Sequence, residues 1–101
     1  MIIITGTIDC RPEDRDEAFA LGCEHSERSR GEPGCLAHNC YEDAETPGRM
    51  HFFEKWADVD AVRSHFAVPE SGEFIRKVAA FSDSRPMIDI YSAEKIELPS
   101  G

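Results

Sequence analysis

The chain opens on Ile2, Ile3 and Ile4, mixes Thr5, Gly6, Thr7 and Ile8 after them, and is stopped by Arg11-Pro12, which predicts a first strand over residues 2–9. Pro12 suits the first turn of a helix. Glu13 and Asp14 lie where the helix dipole favours acids, and Arg28 and Arg30 precede Gly31 at the other end. On that helix Ala18, Phe19, Gly22, Cys23 and Ser26 recur at spacings of three and four, so the expected buried stripe is made mostly of small groups. Such a stripe lets a helix lie close to a sheet. Pro33-Gly34 fits the centre of a type II turn, because Pro fixes the first φ and Gly accepts the positive second one. Two strands are then expected over 35–43 and 49–57, joined as a hairpin by Ala44-Glu45-Thr46-Pro47-Gly48. Asp58 can cap a short helix in which Ala61, Val62, His65 and Phe66 share a face, until Pro69 interrupts it. A second helical piece is expected from near Gly72, with Phe74, Val78 and Phe81 aligned. A last strand is expected from Arg85 to Leu98, where Ile88 and Ile90 alternate with Met87 and Tyr91.

Strand, helix, strand, strand, broken helix, strand is the order of a split βαβ plan, an α+β fold of the ferredoxin-like kind with a four-stranded antiparallel sheet and helices on one face. The strands nevertheless carry bulky groups on both parities, Phe52 and Trp56 against His51 and Phe53 for instance. The second sheet face therefore needs a cover, and a second copy packed through its own sheet is the simplest, giving a homodimer.

Length and composition narrow the picture. The 101 residues, 41% of them hydrophobic, fit one domain over 1–98 with a short tail at 99–101. Eleven basic against twenty acidic side chains give a net charge of −9, which disfavours nucleic acid and anionic membrane surfaces as partners. The apolar start is too short for an export signal or a membrane span, so a cytoplasmic protein is expected, with Cys10, Cys23, Cys35 and Cys40 as free thiols packed like small apolar residues. Cys35, His38 and Cys40 invite a zinc reading, but alternation along a strand would point Cys35 and His38 apart, and no metal is expected.

Candidate chemistry gathers on the hairpin and the short helix. His65 shares a helix face with Ala61 and Val62, where an imidazole either takes a proton from a bound phenol or is a core histidine held by a backbone carbonyl. Glu54 and Trp56 face one side of a strand with Phe52. A carboxylate among these aromatics would gain proton affinity and could assist His65, or it pairs with an arginine or water at the strand end; Trp56 stacks on a flat ligand or fills the core.

Glu32-Pro33-Gly34-Cys35, the run Phe53-Glu54-Lys55-Trp56, the cap Asp58 and His65-Phe66 ahead of Pro69 together resemble the antibiotic biosynthesis monooxygenase domain along almost the whole chain. That resemblance implies a dimeric α/β barrel whose sheets pack face to face, each protomer keeping a pocket between its own sheet and helices. It implies oxygenation of a quinol-like or anthrone-like hydroxylated aromatic by O2 with no cofactor, with His65 in the place of the relatives' helix histidine and Arg76 in that of their later-helix arginine, although on a regular helix Arg76 points away from Phe74 to solvent. On the reading of the residues themselves, His65 and Glu54 are the catalytic pair and Phe52, Trp56 and Phe66 line the substrate pocket. Departures from the pattern are Phe52 and Val62, where polyketide-oxidising relatives carry Asn and Tyr. A non-catalytic ligand-binding or stress-response dimer and a haem-degrading enzyme are the alternatives.

Overall fold

The computed structural model describes residues 1–99, so the tail expected at 99–101 lies, but for Pro99, outside the described residues. The first strand, β1 (Ile2–Asp9), leads through a single 3-10 turn at Pro12–Asp14 into α1 (Arg15–Ser29), so Pro12 opens that turn and the α-helix proper starts three residues later. The hairpin follows as β2 (Cys35–Glu42) and β3 (Arg49–Trp56), then come α2 (Val59–Ala67), α3 (Pro69–Ala79) and β4 (Met87–Ser92). The strands form one sheet in the order β2-β3-β1-β4 with every neighbouring pair antiparallel, which is the split βαβ plan.

Alternation sorts the strand residues onto two faces. Ile2, Ile4 and Ile8 of β1 and Met50, Phe52, Glu54 and Trp56 of β3 are buried on the face that carries the helices. The buried apolar groups fall into two clusters, one with Ile8, Cys10, Ala18, Met50, Phe52, Phe74 and Val78, the other with Ile2, Ile4, Trp56 and Val62. The opposite face is open, and Tyr41, Met87 and Tyr91 on it are each more than half exposed. Among the described residues no helix is long and apolar enough to cross a membrane.

Several sequence expectations need correction. The buried stripe of α1 is Ala18, Gly22, His25, Ser26 and Ser29, whereas Phe19 is only partly buried and Cys23 is exposed; the helix turns its smallest and most polar groups to the sheet. Gly22 is required there, since a Cβ would lie 2.8 Å from the Cys40 sulfur and 2.9 Å from that of Met50. The last strand ends at Ser92, well before Leu98: Ala93 still exchanges backbone hydrogen bonds with Met1, but residues 94–98 run on outside the sheet, and Ile96 and Leu98 stay exposed. A β-bulge between Cys35 and Ala37 also breaks the parity of β2, so that Cys35, His38 and Cys40 all sit opposite residues of the helix-covered face.

The turn that starts β2 is locked to α2. Gly34 has φ +81°, and a Cβ there would come within 2.5 Å of the Ala61 Cβ, while its carbonyl accepts from Ala57 N–H at 2.8 Å. Asp58 Oδ1 in turn accepts from Ala61 N–H at 2.8 Å and starts the helix. Gly34→Ala is therefore expected to cost about 2 kcal/mol or more in urea unfolding through backbone strain and contact together, and a loss below ~0.5 kcal/mol would contradict this packing.

All four cysteines are free thiols, and they differ in environment. Burial pushes the Cys40 thiol up to about 12 and raises those of Cys10 and Cys35, while Cys23 stands exposed on α1. Because only the thiolate is nucleophilic, a disulfide reagent at neutral pH should label Cys23 first. Peptide mapping that finds Cys40 modified as fast as Cys23 would count against the placement of α1.

Candidate active site

Between the two apolar clusters lies a layer of polar groups. Glu54 is the middle member of the buried β3 series, His38 lies opposite it on β2, His25 comes from α1 and His65 from α2, and each of the four is at least nine-tenths buried. A carboxylate in such a place needs donors. Trp56 Nε1–H donates to Glu54 Oε1 at 3.0 Å, and the Nε2 atoms of His38 and His65 lie 3.4 and 3.9 Å from the same oxygen. Burial nevertheless outweighs the opposing effects of Trp56 and His65 and holds the Glu54 carboxyl above its usual range.

Each imidazole is oriented through its other nitrogen. His65 Nδ1–H donates to Glu32 Oε1 at 2.8 Å, His38 Nδ1 meets the Ser26 hydroxyl at 2.8 Å, and His25 Nδ1 accepts from Arg28 Nη2 at 2.7 Å. The rings pack against one another and the neighbouring aromatics, with His25 stacked on Phe74 at 4.2 Å and His65 tilted over Trp56 at 4.6 Å. Burial pushes His25 and His38 down to about 3, with the positive groups around them adding to the effect, so both rings are neutral at neutral pH.

A cavity of about 300 Å³ opens in front of this layer. Ile4, Gly6, Ile8 and Phe52 of the sheet form its floor, His25, Glu54 and His65 its polar end, and Ser71, Phe74 and Ile75 of α3 a wall. Phe66, Ile75 and Ile88 also line it and are partly exposed, which marks the mouth. The Ser71 hydroxyl is buried without a hydrogen-bond partner, a free donor beside an apolar space.

The structure therefore brings together four of the six residues singled out in the sequence: His65, Glu54, Phe52 and Phe66 all line the cavity. Trp56 does not, since it is fully buried behind Glu54 and His65 and acts on the cavity only through its hydrogen bond. Arg76 is exposed and lies outside the lining, because a regular helix turns it away from the face of Phe74 and Val78. Val62 is buried in the cluster with Ile2, Ile4 and Trp56 and not at the cavity. His65 is buried, but the backbone carbonyl expected of a core histidine does not hold it; the Glu32 carboxylate does. His38 stands at Glu54, and His51 lies on the open face, held by Asp43 Oδ2 at 2.7 Å and Thr7 Oγ1 at 3.2 Å.

His25 and Ser71 were not singled out, and Ser26 only as part of the helix stripe. The positions 18, 22, 25 and 29 follow helical spacing, and admitting polar residues to that stripe would have found His25. Glu32 was read only as part of a turn, and its partner is thirty-three residues away. The ligating nitrogens of His25, His38 and His65 lie within 4.8 Å of one another, a cluster that could hold a metal ion and that differs from the Cys35, His38 and Cys40 set weighed from spacing.

Known proteins share this architecture. A candidate antibiotic biosynthesis monooxygenase from Deinococcus radiodurans superposes with a TM-score of 0.92 over 100% of both chains at 26% identity. The Rv0793 protein of Mycobacterium tuberculosis, with a TM-score of 0.86 over 94% of this chain and 96% of its own, is 20% identical and speaks for the fold alone. An uncharacterised Synechocystis protein is 37% identical over 76 residues, which are 75% of this chain and 52% of that relative, so the chain spans about half its length. The profile of the antibiotic biosynthesis monooxygenases matches residues 1–77, and this chain belongs to that family.

Proposed function

We propose that the protein is a cofactor-independent monooxygenase that oxidises a hydroxylated aromatic of the quinol or anthrone kind with O2. The observation that carries this reading is the run Glu32, His65, Glu54 at the polar end of an otherwise apolar cavity. Glu32 fixes His65 with its proton on Nδ1, which leaves the Nε2 lone pair to accept the proton of a phenolic hydroxyl. Glu54, its carboxyl held high by burial, can take up that proton or return it.

The anion so formed is the electron donor. For a quinol, O2 places one oxygen on a ring carbon in place of hydrogen, the ring is oxidised to the quinone, and the second oxygen leaves as water with the two hydrogens of the quinol hydroxyls. What the protein contributes is position and desolvation: Phe52, Phe74 and Ile4 clamp a flat ring, and the Ser71 hydroxyl can donate to a substrate oxygen. The volume of about 300 Å³ suits a compact aromatic better than a tetrapyrrole, which makes haem the weaker substrate. The exposed Tyr41, Met87 and Tyr91 support a second copy packed on the open sheet face.

A non-catalytic binding role has one specific observation in its favour. Phe52 presents a phenyl ring to the cavity at the position where oxidising relatives would offer an amide, and Val62 presents nothing to it. Oxygen uptake in the presence of a panel of quinols and anthrones separates the two. We expect substrate-dependent O2 consumption, a fall of about 100-fold or more in kcat/KM in His65→Ala, and a smaller fall in Glu32→Gln, which keeps the imidazole and loosens its orientation. Ligand binding with no O2 uptake would leave the binding role standing, and unchanged activity in His65→Ala would remove that residue from the chemistry.

A further inference from the structure

We propose that His25, His38 and His65 form a three-imidazole site for a divalent transition metal ion at the inner end of the cavity. With the Nδ1 atoms met by Arg28, Ser26 and Glu32, the nitrogen that each ring has left for an ion is Nε2, which in His25 first has to give up its proton. Imidazoles bound at about 2.0–2.1 Å around a tetrahedral ion have ring centres roughly 5 Å apart. The three separations here are 5.0, 5.4 and 5.5 Å. Glu54 Oε1, 3.4 and 3.9 Å from two of the Nε2 atoms, stands where a fourth ligand would be, and the cavity leaves access for a further one.

Three features point to an ion and not only to a buried hydrogen-bond cluster. The Nε2 atom of His38 is buried without a hydrogen-bond partner, which a bound cation would satisfy. Glu32 behind His65 and Ser26 behind His38 are partners of the kind that orient ligating rings. Third, an imidazole-rich set with one carboxylate matches zinc and its first-row neighbours better than magnesium or calcium.

Arg28 is the group that opposes the ion. By donating to His25 Nδ1 it puts that ring's proton on Nε2, the atom that has to bind. Ligation therefore needs the proton to move to Nδ1 and Arg28 to let go. Its alternative partner is in place: Arg28 Nε and Glu32 Oε2 are both buried without a hydrogen-bond partner and already form a loose ion pair at 4.0 Å, and closing that gap would satisfy both. Arg28 thus acts as a gate on metal affinity.

The assignment does not depend on the oxygen chemistry, since it is read by binding. If both hold, the ion occupies the His65 lone pair that deprotonation requires, and zinc would inhibit. The test is a calorimetric titration of untagged, chelator-treated full-length protein with Zn2+, alongside the visible spectrum after Co2+ addition, in a Cys23→Ser background. One ion per chain and a tetrahedral Co2+ spectrum without thiolate charge transfer are expected. His25→Gln and His38→Gln should lose binding with retained circular dichroism, His51→Asn should not, and Arg28→Ala should tighten it about tenfold. No saturable binding in the wild type, thiolate bands in the cobalt spectrum, or equal affinity in wild type and Arg28→Ala would each overturn the proposal. The cobalt spectrum of the wild type decides the matter even where a histidine variant fails to fold.

Discussion

A carboxylate embedded in the middle of an apolar sheet face governs the arrangement around it. Glu54 sits between Phe52 and Trp56 on β3, and burying an acid there without donors would cost several kcal/mol. The indole N–H of Trp56 answers that demand, the imidazoles of His38 and His65 border the same carboxylate oxygen, and both rings in turn meet Ser26 and Glu32 at their far nitrogens. One acidic position thus recruits side chains from β2, β3, α1, α2 and the turn before β2. It is also why the core is two apolar clusters with a polar layer between them.

The rest of the scaffold exists to hold those elements at the right separation. Gly22 lets α1 approach close enough for His25 and Ser26 to reach the layer, against the sulfur atoms of Cys40 and Met50, which are soft enough to fill what remains. Gly34 does the same at the other end, where the turn meets Ala61 and so positions the helix that carries His65. Two small residues set the distances across which the imidazoles converge. The open face of the sheet contributes nothing to this layer, since its groups point the other way.

Much of the fold was legible because its signals are local. Period-two runs, Pro-Gly at a turn, Asp58 as a cap and Pro69 as a break are each decided within a few residues, and the structure has every one of them. What escaped depends on context at a distance. The bulge at the start of β2 is a matter of registry with β3, and it placed Cys35 and His38 on one face against simple alternation. Residues 94–98 carry a strand-like pattern but lie beyond the ladder with β1, whose last backbone hydrogen bonds join Ala93 and Met1. In the site, His65 and Glu54 stood out as polar groups among aromatics, whereas His25 drew no reading and Glu32 only one as part of a turn run, since nothing nearby in sequence announces the acid that orients an imidazole thirty-three positions on.

The joint between α2 and α3 carries a separate consequence. Val68 is the last cap of one helix and the first of the next, extended at φ −64° and ψ 125°, and it is the single residue between them. His65 and Phe66 hang from one side of this pin, Ser71, Phe74 and Ile75 from the other, and all five face the same hollow. Its width is then a function of very few torsions. A turn about that one residue would widen or narrow the hollow while leaving the strands and the acid at their centre undisturbed.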